Sequence, residues 1–336
     1  MIDLNDISLG RTILVTGGVG SIGKELVKKM LDDEETTVRV LDTNETGLFD
    51  LSQEIKNDRI RLFIGDIRDK DRLNRAFENV DVVFHAAALK HVPLCEYNPF
   101  EAVMTNIIGT QNVLSAALDN RVKKVIFIST DKAVNPTNVM GATKLLAERL
   151  TISTSHYRGF RDTIFCCVRF GNVLNSRGSV IPLFQQQIAN GGPITVTHPE
   201  MTRFIMSIPN AVDLILKAAK ISSGGEIFIL KMPAVRIIDL AEVMIQKYAP
   251  LFGFDTNDIE IEIIGKRPGE KMHEELLTEY ESEFTYENEE MFITYSPHYF
   301  SNKIQKNQNP EGFVKIRNNS YCSKGADLLS KSNIKK

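Results

Sequence analysis

Short apolar runs rich in β-branched residues alternate with stretches of helical spacing along the first half of the chain. Thr12–Thr16, Val38–Leu41, Arg61–Ile64, Val82–Phe84, Val125–Ile128 and Thr163–Val168 read as strands. Between them, Glu25–Leu31, Phe100–Asn120 and Gly141–Tyr157 place apolar residues at helical spacing, and a further helix is expected to start near Asp69. Strands separated by helices join through crossovers, so the pattern predicts an α/β fold built on a doubly wound parallel sheet.

Past residue 170 the alternation weakens. Ser176–Pro182 and Gly191-Gly192-Pro193 are loop signals, and Thr195–Thr197, Glu226–Leu230 and Glu260–Ile264 are short strands of a smaller lobe closing over the first. After Tyr286 the chain is rich in Asn, Lys, Gln and Ser, with aromatics at Tyr295, Tyr299 and Phe300, and reads as a loosely packed tail with one turn around Ala326–Leu329. The expected division is residues 1–170, 171–285 and 286–336.

Composition narrows the class. The 336 residues are 43% hydrophobic and 25% charged, enough to bury a full core without staples. A net charge of −3 with both signs interspersed gives no basic face for nucleic acid. Cys95, Cys166, Cys167 and Cys322 have no metal-ligand spacing and read as reduced thiols, so no metal is expected. No apolar run approaches a membrane span, and the amino terminus, with Asp3 and Asp6, lacks a leader pattern; the expectation is a cytoplasmic protein.

The candidate chemistry begins at Gly17-Gly18-Val19-Gly20-Ser21-Ile22-Gly23, between the first strand and the first helix. Glycines at this spacing let the backbone turn and approach a pyrophosphate at a helix N-terminus. Asp42 closes the second strand, where a carboxylate accepts from the ribose hydroxyls of NAD and opposes the extra phosphate of NADP; NAD is the expected cofactor. Asp66, before Ile67, either reaches the adenine amine or caps the helix near Asp69. Ala86, Ala87 and Ala88 leave room for a cofactor across the strand ends. Lys90 or His91 in the following loop could meet substrate, and Asn106 reads as a buried structural amide.

Ser129–Lys144 is the expected working centre. The strand before it delivers Thr130, Asp131 and Lys132 to the carboxyl edge of the sheet, where ligands bind in open α/β folds. An isolated Asp-Lys pair is ordinarily a turn cap beside a solvated charge; placed after a buried strand and before Lys144, it reads as an acid/base pair. Met140 and Lys144 stand one turn apart on one helix face. Arg203, Arg267 and Glu270 lie in what read as loops, and two arginines suit a diphosphate.

Taken together, Gly17–Gly23, His85–Pro93, Ser129–Lys144, Arg169–Val173, Arg177–Pro182, Met201–Phe204 and Arg267–Lys271 resemble the extended short-chain dehydrogenase/reductases, and within them the UDP-N-acetylglucosamine 4,6-dehydratases. The resemblance covers roughly residues 10–280 and implies a Rossmann-type domain, NAD, a UDP-sugar substrate and a homo-oligomer built through the helices Phe100–Asn120 and Gly141–Tyr157. Related enzymes carry Tyr-x-x-x-Lys where this chain has Met140 and Lys144; the methionine form is similar to one branch of the family. By resemblance the cofactor contacts fall on Gly17, Gly20, Ser21, Ile22, Gly23, Asp42, Asp66, Ile67, Ala86, Ala87, Ala88 and Lys144. Thr130 then bonds the C4 hydroxyl, Asp131 supplies the C6 proton, Lys132 is the C5 base and Lys144 positions the nicotinamide ribose. Lys132 is expected to lose its proton more easily than a free lysine, because Lys144 and the cofactor are near. The C4 hydroxyl proton goes to Asp131 or to water. Lys90, Asn172, Arg203, Arg267 and Glu270 are the implied substrate contacts. A UDP-sugar 4-epimerase and a non-catalytic NAD-binding scaffold are the alternative readings.

Overall fold

The structure is a computed structural model that describes residues 11–297, 310–317 and 320–334. Asp3, Asp6, Tyr299 and Phe300 lie outside the described residues.

The first half builds a Rossmann-type sheet: β1 (Thr12–Thr16), α1 (Ser21–Met30), β2 (Thr37–Asp42), α2 (Glu45–Glu54), β3 (Ile60–Ile64), α3 (Lys70–Phe77) and β4 (Val82–His85). Then come α4 (Val92–Tyr97), α5 (Pro99–Val103), a π-helical turn at Met104–Gly109, α6 (Thr110–Asp119), β5 (Lys124–Ile128), α7 (Val139–Tyr157) and β6 (Ile164–Arg169). The second half adds β7 (Asn172–Val173), α8 (Val180–Ala189), β8 (Ile194–Val196), β9 (Thr202–Met206), α9 (Ile208–Ile221), β10 (Glu226–Leu230), β11 (Ala234–Arg236) and α10 (Ile237–Tyr248). It ends with β12 (Ile261–Ile263), β13 (Glu275–Leu277), α11 (Glu279–Ser282), β14 (Thr285–Glu287), β15 (Met291–Tyr295), β16 (Val314–Lys315), β17 (Tyr321–Cys322) and a short helix at Lys331–Ile334.

Strands β3-β2-β1-β4-β5-β6-β10 run parallel, and β15, β14 and β16 extend the same sheet antiparallel. The strand order reverses between β1 and β4, which opens a crevice at their carboxyl ends. Successive side chains of β1 serve opposite faces: Ile13 and Val15 join a core with Leu26 and Val27 of α1 and Leu214 and Ile215 of α9. Leu14 joins Leu73 and Phe77 of α3 and Val113 and Ala117 of α6. The lobe has its own core, in which Phe184 and Ile188 of α8 meet Ile194, Val196, Leu240 and Met244.

Several expectations change here. The helix expected over Phe100–Asn120 is broken by the π-helical turn, whose extra residue directs Asn106 inward. The Ser176–Pro182 loop ends early, because Pro182 sits in the first turn of α8, where a missing N–H costs nothing. The tail is not loosely packed: β15 pairs with β10, and Tyr321 stacks near Phe204 and Phe292. No helix forms at Ala326–Leu329; the terminal turn is Lys331–Ile334. Among the described residues no helix is long and apolar enough to cross a membrane.

Candidate active site

The glycine turn is shaped by close backbone approach. Gly17 has φ +68°, and a Cβ there would lie 2.6 Å from the Ala87 amide nitrogen; one on Gly23 would lie 2.3 Å from the Gly17 carbonyl oxygen. Gly20 precedes α1 without a side-chain cap, and the first turn of α1 holds no acid, so its N–H groups and dipole face the crevice unopposed. Asp42 closes β2 with one carboxylate oxygen accepting from Val19 N–H (3.2 Å) and the other from Asn44 N–H (3.0 Å). Main-chain donors therefore hold the carboxylate at the crevice edge, and the donor set fits an adenine dinucleotide along Gly17–Gly23 and Asp42. Ala86, Ala87 and Ala88 follow β4 across from the glycines, with Ala86 N–H donating to the Thr16 carbonyl (3.1 Å).

Asp66 accepts from the Arg68 main-chain N–H and from its guanidinium at 2.6 Å. Capping of α3 falls instead to Asp69, which accepts from Arg72 N–H at 3.0 Å. Ile67 is buried, its side chain where a Cβ on Gly109 would collide. The loop after β7 crosses the glycine turn: Arg177 N–H donates to Ser21 Oγ (3.1 Å) and its guanidinium to the Val19 carbonyl. Lys90 Nζ donates to the Arg177 carbonyl at 2.7 Å, so Lys90 closes this loop onto the strand β4 side. His91 faces Gly178 across it.

At the end of β5, Thr130 donates to Asp131 Oδ1 (2.8 Å). Lys132 Nζ donates to the same oxygen at 2.9 Å and to Asn172 Oδ1 at 3.3 Å. Asp131 is fully buried and its Oδ2 has no partner. Burial pushes Lys132 down, but the carboxylates of Asp131 and Glu274 outweigh it and hold the amine above its ordinary value. The expectation of an easily deprotonated Lys132 is thus reversed in the protein's own field, because acceptors surround it more closely than cations do.

Lys144 is the depressed amine. Burial brings it to about 8, and its Nζ donates to the Ile128 carbonyl (2.6 Å) and lies 4.2 Å from the Phe127 ring centroid. Met140, expected to point to the same place, is buried in a small cluster with Cys95 and Ala102. It is therefore a packing residue between α7 and the α4–α5 corner. Asn106, from the π-helical turn, accepts from Leu89 N–H (2.8 Å) and donates to Thr143 Oγ1 (2.9 Å), tying the loop after β4 to α7.

On the lobe side, Arg203 lies on β9 rather than in a loop and is buried. Its guanidinium donates to the carbonyls of Thr202 (2.8 Å) and Lys271 (2.9 Å) and to Glu270 at 3.4 Å. Arg267 is exposed and Glu270 accepts from its main-chain N–H at 3.1 Å. Thr130, Asp131, Lys132 and Asn172 are in direct contact, whereas Arg267 lies at the surface.

Three features were missed from the sequence. His85 is pinned between Thr16 (2.7 Å) and Thr110 (3.0 Å), with burial and the nearby Lys144 charge lowering it to about 3, so it is neutral. Arg169, fully buried, bridges Glu148 and Glu281, and Glu148 accepts from Ser129 Oγ at 2.7 Å, which fixes the residue before Thr130. Glu274 stands 3.8 Å from Lys132 Nζ. Its one sequence signal is strand alternation, which puts it on the same face as buried Leu276.

Comparison with known proteins agrees with this architecture. Residues 13–296 match the family described as polysaccharide biosynthesis protein. The chain belongs to that family. It is 61% identical over 99% of its length to the "Uncharacterized membrane protein MJ1061" of Methanocaldococcus jannaschii, covering 97% of that protein. It is 42% identical to a UDP-N-acetylglucosamine 4,6-dehydratase (inverting) of Campylobacter jejuni, over 84% of the chain and 82% of the relative. UDP-glucose 4-epimerase of Rickettsia conorii is 43% identical, over 80% of the chain and 78% of the relative. The solved structure of Pen from Bacillus thuringiensis aligns with a TM-score of 0.88 at 46% identity, covering 97% of this chain and 95% of that one.

Proposed function

We propose that this family member is an NAD-dependent nucleotide-sugar 4,6-dehydratase that converts UDP-N-acetylglucosamine to a UDP-4-keto-6-deoxy sugar. The observation that carries the reading is the Asp131–Lys132 pair, held together at the carboxyl end of β5 beside Asn172, while Met140 is turned into the core. Elimination of water needs a base at C5 and an acid at C6, whereas epimerisation at C4 needs neither.

The Gly17–Gly23 turn, Asp42 and Lys144 would hold NAD, which would supply reversible hydride chemistry at sugar C4 and C6. The protein's residues do the rest. Thr130 hydrogen-bonds the C4 hydroxyl, Asp131 takes that proton on its unpartnered oxygen and passes it to the departing C6 hydroxyl, and Lys132 as neutral amine removes the C5 hydrogen and later returns it. Lys144 orients the nicotinamide ribose, Asp42 the adenosine ribose, and Asn172, Arg203, Glu270, Arg267 and Lys90 border the UDP-sugar. Exposed apolar side chains at Leu94 (62%), Tyr97 (86%) and Phe100 (82%) support a homo-oligomer formed through this helical corner.

The test is incubation with UDP-N-acetylglucosamine followed by mass spectrometry, in light and heavy water. The expected product has lost one water, carries solvent deuterium at C5, and forms without net NAD consumption. Lys132→Ala is expected to keep NAD binding while elimination falls roughly 10²–10⁴-fold. The epimerase-named relatives favour a second reading, for which the product mass is unchanged. Tight NAD binding with no conversion of any UDP-sugar refutes both and leaves a scaffold.

A further inference from the structure

Glu274 precedes β13 and is 3% exposed. Its main-chain N–H donates to Ser323 Oγ (2.9 Å) and its carbonyl accepts from Ser323 N–H (2.8 Å), so the carboxyl-terminal segment fixes its place. Its Oε1 lies 3.8 Å from Lys132 Nζ and 3.8 Å from Arg203 Nε, with Lys271 Nζ 3.9 Å from Oε2. Oε2 is buried and accepts no hydrogen bond. Oε2 therefore faces Lys271 and Oε1 faces Lys132; buried carboxylates ordinarily collect donors on both oxygens, so this one keeps acceptor capacity unspent between two lysines.

The charged groups facing Glu274 are Asp131 and Lys132 from the turn after β5, Arg203 from β9 and Lys271 from its own segment; Glu270 is engaged by Arg203, and neighbouring His273 is bonded to Thr202 at 2.8 Å. Burial raises the Glu274 carboxyl above its ordinary range, Asp131 adding to this and the cations opposing it.

From this geometry we propose that Glu274 is the proton partner of Lys132, a positioning residue that sets when Lys132 can act as a base. The Nζ–H bond breaks, an O–H bond forms on Glu274, and Lys132 is left as a neutral amine. Glu274 keeps that proton while Lys132 removes and returns the C5 hydrogen, then gives it back, so the pair ends as it began. This rests on the reading of Lys132 as the C5 base. Because the proton stays within the pair, formation of the neutral amine does not depend on pH while the pair holds one proton.

The experiment compares wild type, Glu274→Gln and Glu274→Asp in two measurements. In turnover of UDP-N-acetylglucosamine, the wild-type rate is expected to be flat through neutral pH. Glu274→Gln, which keeps the shape and loses the acceptor, should climb about tenfold per pH unit, because the ammonium must then lose its proton to solvent. Glu274→Asp should restore the flat profile. A flat, active Gln variant with an inert Asp variant overturns the proposal in favour of a shape role. The second measurement needs no turnover: Lys132 acylation by acetic anhydride is followed against pH, peptide by peptide. Removing a negative charge at 3.8 Å should lower the Lys132 midpoint in Glu274→Gln by at least about one pH unit. An unchanged midpoint overturns the proposal. A shifted midpoint in a protein that converts no UDP-sugar supports the pairing and refutes the proposed reaction.

Discussion

Lys144→Met tests whether a buried charge is kept for function against stability. Lys144 falls from an ordinary value of 10.5 to about 8, with desolvation the leading cause. A lysine whose folded pKa lies below its unfolded value is disfavoured by folding wherever it is charged. The penalty is complete below pH 8 and is relieved as pH rises from 8 to 10.5, because there the unfolded chain binds the extra proton. At about 1.4 kcal/mol per unit, the penalty is about 3 kcal/mol at pH 7 and about 1 kcal/mol at pH 9.5. Wild type should therefore gain about 2 kcal/mol between these pH values that Lys144→Met does not gain, measured by urea unfolding of both proteins at each pH. The same variant should lose NAD affinity, measured by calorimetry, since the ammonium on the crevice side of α7 is gone. Parallel pH dependences for the two proteins would sink the argument that Lys144 is a strained buried cation.

Other perturbations separate packing from chemistry. Met140→Ala should destabilise by roughly 2–5 kcal/mol in thermal or urea unfolding, the range for emptying a buried methionine site, while turnover stays within about tenfold; turnover as low as that of Lys144→Met would return Met140 to the reaction. Glu281→Gln should lower stability at pH 7 by about 3 kcal/mol, because burial raises this carboxyl but Arg169 outweighs it and holds it down to about 2. That stabilisation is present above the ordinary carboxyl range and is lost as pH falls toward 2, so the difference in urea midpoints from wild type should vanish there. Asp42→Ala should weaken NAD and strengthen NADP binding by calorimetry, and wild-type binding of NADP as tight as NAD would refute the role given to this carboxylate.

The sequence alone determined the parallel sheet, the glycine turn and the Asp131–Lys132 pair, because each depends on local order: strand and helix periods, a turn that tolerates no side chain at Gly17, and adjacency in the chain. The break at Met104–Gly109 is not legible in the helical spacing over Phe100–Asn120, which runs through it without a gap. Tertiary structure decided everything that requires distant segments to meet. Arg169 reaches Glu281 across 112 positions, and Glu274 comes beside Lys132 although the polar segment before β13 reads as ordinary loop. It also decided protonation: Lys132 and Lys144 are the same residue type near the same edge, yet one is surrounded by carboxylates and raised, the other desolvated and lowered. A pKa is set by which groups fold into the few ångströms around an atom, and that neighbourhood is assembled by packing rather than written in spacing.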